Sequence, residues 1–143
     1  MAIDSKLLRH VMGKFPTGVT VVTTKRGETM SAMTANAVMS LSLDPPLIVI
    51  SVDRFGSMHG LLEIGGCFAI NVLTREQEHL SQRFSQRGAK NLSDLDTDVV
   101  ETGAPVLRNA LAYADCRIVD VARGGDHGKQ NRCCKGFQEF RHR

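Results

Sequence analysis

The spacing of apolar residues divides the chain into short segments of two periods. In "DSKLLRHVMGK", residues 4–14, Leu7, Leu8, Val11 and Met12 recur at i, i+1, i+4 and i+5. That spacing predicts a helix apolar on one face, capped by Asp4 or Ser5 and ended by Phe15-Pro16. The β-branched run "TGVTVVTT" (17–24) predicts a strand, and "KRGE" (25–28) a Gly-containing turn into a second strand, "TMSAMTA". "AVMSLS" (37–42) predicts a third, stopped by "DPP", and "LIVISV" (47–52) has the continuous apolar character of a strand buried on both faces. A short helix is expected from Ser57, burying Met58, Leu61, Leu62 and Ile64 and stopped by a Gly pair. "CFAINVL" (67–73) predicts another strand, and "REQEHLSQRFS" (75–85) an amphipathic helix with Leu80 and Phe84 at i, i+4. Residues 86–104 are polar and aperiodic, the pattern of a long surface loop of the kind that often covers sites. "ALAYADCRIVDVAR" (110–123) alternates as a half-buried strand does, and "GGDH" follows as a turn.

About six strands joined mostly by tight turns predict a mainly β fold, a small closed or nearly closed antiparallel barrel with peripheral short helices, because closure removes exposed edges. At 143 residues, 42% apolar and 23% charged, the chain is expected to form one domain with its own core. The net charge of +3 is local: "GKQNRCCKGFQEFRHR" carries +4, so everything before residue 128 sums to −1. A solvated basic tail is expected, and no nucleic-acid surface. The N-terminal residues lack the apolar core of a signal peptide and no run reaches membrane-spanning length, so no membrane association is expected. Cys67 and Cys116 stand singly in strand-like runs, and adjacent Cys133 and Cys134 make no metal-ligand pattern. The expected setting is cytoplasmic and reducing, with no metal.

Three stretches carry candidate chemistry. "SVDRFGSMH" combines Ser51, the cation of Arg54, the freedom of Gly56 and Ser57 at a helix start, parts from which a phosphate-binding turn is made. Equally, Ser57 serves as an N-cap and Arg54 as a surface charge. Thr34, Ala35, Asn36 and Ala37 suit either the edge of a flat heteroaromatic ring or a β-bulge. His127, after Gly125-Asp126, is a polar ligand contact, a proton donor or a structural histidine. No Ser-His-Asp set or paired acids stand at informative spacing, which removes support for a hydrolase.

"FPTGVTVVTT", "MTANAVMSLSLDPPLIVISVDR", "GCFAINVL", "LAYADCRIVD" and "GGDH" occur in the order and spacing of the flavin reductase-like domain, and the chain resembles that family from about residue 8 to residue 127. The resemblance implies a homodimeric FMN-binding split barrel over residues 1–127, followed by an atypical basic tail over 128–143. It implies NADH- or NADPH-dependent reduction of FMN or FAD, often in support of a flavin monooxygenase. Carried onto this sequence, it places Thr34, Ala35, Asn36 and Ala37 along the isoalloxazine edge and Ser51, Val52, Arg54 and Ser57 at the phosphate. Phe84, with Arg83 beside it, lies by the cofactor, and His127 faces nicotinamide and flavin. Two departures from the family pattern stand out: the phosphate turn has fewer hydroxyls, and the tail lacks the strand pattern expected of a closing segment. From the second follows the expectation of a missing C-terminal closing strand, and with it two competing readings. One is a flavin- or haem-binding barrel without turnover, the other a dimeric interaction protein that binds no flavin.

Overall fold

The computed structural model describes residues 3–53, 56–63, 66–88 and 91–122, together with the backbone of residues 132–142. Arg54 and His127 lie outside the described residues.

Helix α1 (Ser5–Met12) forms as the spacing predicts, with the Asp4 carboxylate accepting from the Lys6 amide at 3.2 Å as the N-cap. Strands β1 (Thr20–Arg26) and β2 (Thr29–Ala35) make a hairpin in which Arg26 lies opposite Thr29, so only two residues turn the chain. Gly27 holds φ +58° at the first of them, a conformation that L side chains adopt at a cost. Strands β3 (Val38–Leu43), β4 (Pro46–Val52) and β5 (Cys67–Val72) follow. The helix predicted from Ser57 is reduced to a 3-10 turn, His59–Leu61, with Gly60 at its centre; Met58 and Leu62 are nevertheless buried. Helix α2 (Glu78–Ser85) is preceded by a 3-10 turn, Arg75–Gln77, and buries Leu80 and Phe84 as their i, i+4 spacing requires.

The presumed loop 86–104 contains strand β6 (Thr97–Val99), paired with β7 (Pro105–Leu107) in a separate small hairpin. Three-residue strands are too short to show a period in sequence. Their connection is held by Asp115, only 2% exposed, whose carboxylate accepts from the Glu101 and Thr102 amides at 2.9 and 3.0 Å and from the Thr102 hydroxyl. Three donors on one buried carboxylate compensate its lost hydration.

Strand β8 (Ala112–Ala122) pairs with β5, and the expectation of a missing closing strand is corrected here. Residues Arg132–His142 form β9, which pairs with β8 from Ala112 opposite His142 to Ala122 opposite Cys133, and with β4 from Ile48 opposite Gly136 to Val52 opposite Arg132. Two long strands with unmet backbone donors and acceptors impose extended geometry on a segment whose own pattern does not announce it.

The seven-stranded antiparallel sheet runs β2-β1-β5-β8-β9-β4-β3. Its two ends, β2 and β3, are separated in sequence only by Asn36 and Ala37, yet no ladder joins them among the described residues. The barrel is thus split. Val22, Ala35, Ile48, Ile50, Val52, Phe68, Ala114, Cys116 and Ile118, drawn from β1, β2, β4, β5 and β8, converge in one buried cluster inside the curled sheet. A second cluster lies outside it, where Val21 and Ala32 meet Leu80 and Phe84 of α2 together with Leu92 and Leu107. Pleating accounts for the division: neighbours Val21 and Val22 point to opposite faces of β1.

Candidate active site

The outer face of β2 is where the sheet edge, α2 and the turn after β4 come together. The Thr34 hydroxyl donates to the Ser81 carbonyl at 2.6 Å, pinning α2 across the strand. On the other side, Ser57 Oγ lies 3.5 Å from Ser31 Oγ and donates to the Gly88 carbonyl at 3.4 Å. Gly88 has φ +112°, which turns the chain after α2 so that its carbonyl meets that hydroxyl.

These pins frame a cavity of about 460 Å³. Ala32 to Asn36 form one wall, Asp53 and Gly56 to Met58 a second, and Ser81 with Phe84 to Gly88 a third. Phe84 (2% exposed) and Met58 (1%) give it an apolar floor. Its size lies in the range of small-molecule sites, and so does its character, an apolar base with a few convergent polar groups. A planar heteroaromatic ring with a polar tail fits a lining that offers the Asn36 amide, the hydroxyls of Thr34, Ser57, Ser81 and Ser85, the Asp53 carboxylate and the Arg87 guanidinium.

Five of the sequence-predicted site residues, Thr34, Ala35, Asn36, Ser57 and Phe84, line this one cavity. Ala37, Ser51, Val52 and Arg83 are not among its lining residues. Ala37 is linked to β4, where the Ser51 amide donates to its carbonyl at 3.0 Å, and Val52 is fully buried in the barrel cluster. Arg83 is bonded to the segment that follows α2. Its Nη1 and Nη2 donate to the two Asp94 carboxylate oxygens, each at 2.7 Å, and Nη2 also donates to the Asn91 carbonyl at 2.6 Å. The guanidinium lies 5.1 Å from the Phe84 ring centre. Hydrogen bonding to Asp94 raises the Arg83 pKa, and the same bonds lower that of Asp94. The cavity also gathers residues the sequence does not single out, among them Ser81, Ser85 and Arg87. Ser81, Phe84 and Ser85 stand at i, i+3 and i+4 of α2, a spacing that puts them on one face and signals their shared wall.

A second cavity, of about 550 Å³, lies between the β6–β7 hairpin and the start of β8, lined by Val99, Val106, Tyr113 and the Arg108–Asp98 ion pair. It gathers none of the predicted site residues. Among the described residues no group of three His, Cys, Asp or Glu side chains is placed to hold a metal, and no helix is long and apolar enough to cross a membrane.

The family model of the flavin reductase like domain matches residues 12–128. The chain is 40% identical over 124 residues to the FMN reductase (NADH) SmoA of Agrobacterium fabrum, covering 87% of this chain and 71% of that protein. It is 34% identical over 125 residues to HsaB of Mycobacterium tuberculosis, the reductase subunit of a flavin-dependent monooxygenase, covering 87% and 67%. Among solved structures, the NADH:FAD oxidoreductase SgcE6 of Streptomyces globisporus superposes with a TM-score of 0.83 at 35% identity, over 96% of this chain and 84% of that one. A family match over most of the chain, a split antiparallel barrel and a ring-sized cavity on its covered edge agree: the chain belongs to the flavin reductase-like domain family.

Proposed function

We propose that the protein is an NAD(P)H-dependent flavin reductase, taking hydride from NADH or NADPH to FMN or FAD. The observation that carries this reading is the meeting of Thr34, Ala35 and Asn36 with Ser57 and Phe84 in one cavity of a chain of this family. A bound flavin supplies the hydride acceptor. The chain's own part is to position and to exclude water. Phe84 and Met58 keep the floor dry, which strengthens every polar contact above it. The Thr34 hydroxyl has spent its proton on the Ser81 carbonyl, so toward a ligand it only accepts and reads an N–H edge. The Asn36 amide, at the exposed end of the same wall, both donates and accepts. Such a site needs no side-chain nucleophile, since holding two rings in contact geometry is itself a large part of the acceleration. From the family resemblance, His127 belongs beside the nicotinamide, and Ala37, Ser51, Val52, Arg54 and Arg83 remain proposed cofactor neighbours.

The reduced flavin is proposed to serve a flavin monooxygenase, as the name of HsaB says of that protein. A cytoplasmic homodimer is the proposed state. Support for the dimer comes from α1, where Leu7, Leu8, Val11 and Met12 are all roughly half exposed and no residue is buried. The competing reading, a flavin- or haem-binding barrel without turnover, rested on the lack of a closing strand, and β9 removes that ground. Steady-state oxidation of NADH and NADPH with added FMN and FAD tests the proposal. Flavin-dependent oxidation is expected, and flavin binding with no oxidation of either nucleotide contradicts it.

A further inference from the structure

The third wall of the β2 cavity is the chain that leaves α2. Gln86, Arg87 and Gly88 line the cavity, yet all three are exposed, so this wall has no packed core of its own. The chain is fixed on either side of it. Before the wall, Phe84 is buried with Leu80 and Leu92, and the Ser85 hydroxyl donates to the Gln82 carbonyl at 2.8 Å. After it the chain comes back to α2, where Leu92, 3% exposed, enters the same cluster. Arg83 holds both flanks of that anchor: Nη2 donates to the Asn91 carbonyl, and Nη1 and Nη2 each donate to one Asp94 carboxylate oxygen. Asn91 is tied in turn, its side-chain oxygen accepting from the Ser93 amide at 2.8 Å. A guanidinium that meets a carboxylate through two parallel bonds fixes direction as well as distance. The Arg83 and Asp94 side chains are 36% and 60% exposed, and ion pairs open to water contribute little to global stability. What this pair fixes is local, the path of the chain that carries the cavity wall.

We propose that Arg83 and Asp94 are positioning residues for the flavin, and that their pairing sets Gln86 to Gly88 in place as the third wall before the ligand arrives. This rests on the flavin reading above and deepens it by giving Arg83 a part that needs no contact with the cofactor. A wall already in place loses less freedom on binding, so the ligand is held longer. The Ser57–Gly88 contact, at 3.4 Å, is weak beside the three Arg83 bonds of 2.6 to 2.7 Å. Phe84 links the pair to the site, since its ring lies 5.1 Å from the guanidinium and also floors the cavity.

The experiment measures stopped-flow FMN dissociation and steady-state NADH oxidation in the full-length wild type, Arg83→Gln, Asp94→Asn and the double variant, with tryptic cleavage after Arg87 in the flavin-free proteins. Each single variant is expected to speed FMN dissociation about three- to fivefold, the upper range for an exposed ion pair, and to raise KM for FMN in parallel while kcat does not fall. The double variant is expected to lose no more than Arg83→Gln alone, because the same pairing is removed in all three. Cleavage after Arg87 is expected to quicken in each, whereas thermal unfolding shifts by no more than about 4 °C. Asp94→Asn carries the test should Arg83→Gln fail to fold. Wild-type dissociation in Asp94→Asn overturns the proposal, and together with a loss in Arg83→Gln it makes Arg83 a direct cofactor contact. Unchanged cleavage after Arg87 in folded variants overturns it as well and leaves the flavin reading standing. A wild type that binds no FMN overturns both.

Discussion

β2 and β3 are the two edges of one sheet and neighbours in sequence, yet they have opposite fates. β2 is covered. Helix α2 is pinned over it by the Thr34–Ser81 hydrogen bond and by Phe84 against Ala32 and Val21, and the cavity opens along the strand where the cover is incomplete. β3 is bare, with Met39, Leu41 and Leu43 at 56%, 43% and 88% exposure. An edge strand left open invites pairing with another chain, whereas an edge capped by a helix becomes a wall on which a ligand can be built. On the function proposed above, the covered edge is proposed to hold the flavin and the bare edge, with α1, to receive a second copy.

The largest effect that breaks the comparison is expected from Phe84→Ala. Removing a nearly fully buried ring that ties α2 to the sheet is expected to cost about 3–5 kcal/mol in urea unfolding and to abolish flavin binding. A folded Phe84→Ala protein with wild-type flavin affinity would separate α2 from the site. On the bare side, Leu8→Glu with Val11→Glu is expected to shift sedimentation from dimer to monomer, because both side chains stand on the uncovered face of α1. An unchanged sedimentation coefficient would remove α1 from the interface.

A smaller change is expected from Thr34→Val, which deletes the pin between β2 and α2 and leaves the Ser81 carbonyl without its donor. About 1 kcal/mol of stability is expected to go, with a measurable rise in flavin Kd. No change in either would mean that α2 needs no pin. The smallest effect concerns pH. Hydrogen bonding to Arg83 holds Asp94 below its ordinary value of 3.8, so the pair's stabilisation is present above that value and lost as pH falls through the lowered one. Because both side chains are exposed, Asp94→Asn is expected to shift the acid-unfolding midpoint only slightly upward in pH.

Most of the β framework is legible from period and punctuation, because β1, β2, β4, β5 and β8 carry β-branched or alternating residues between turn signals. β9 is not, since "RCCKGFQEFRH" offers neither alternation nor β-branching and is extended only because β4 and β8 both present ladders to it. The bareness of α1 was also hidden: its apolar stripe predicts a buried face, and pattern alone does not say whether the burial comes from this chain. The candidate site was half legible. Thr34 to Asn36, Ser57 and Phe84 were marked by residue type and family resemblance, but Arg83 and Arg87 look alike in sequence. Only the fold shows that one is held by Asp94 and the other lines the cavity.

Hydrogen exchange of the full-length protein with and without saturating FMN tests the contrast between the two edges most directly. Protection is expected in residues 31–36, 56–58 and 84–88, with β3 and α1 unchanged by FMN. Protection confined to β3, α1 or the Tyr113 cavity, or no protection under conditions where FMN fluorescence is quenched, would contradict the account.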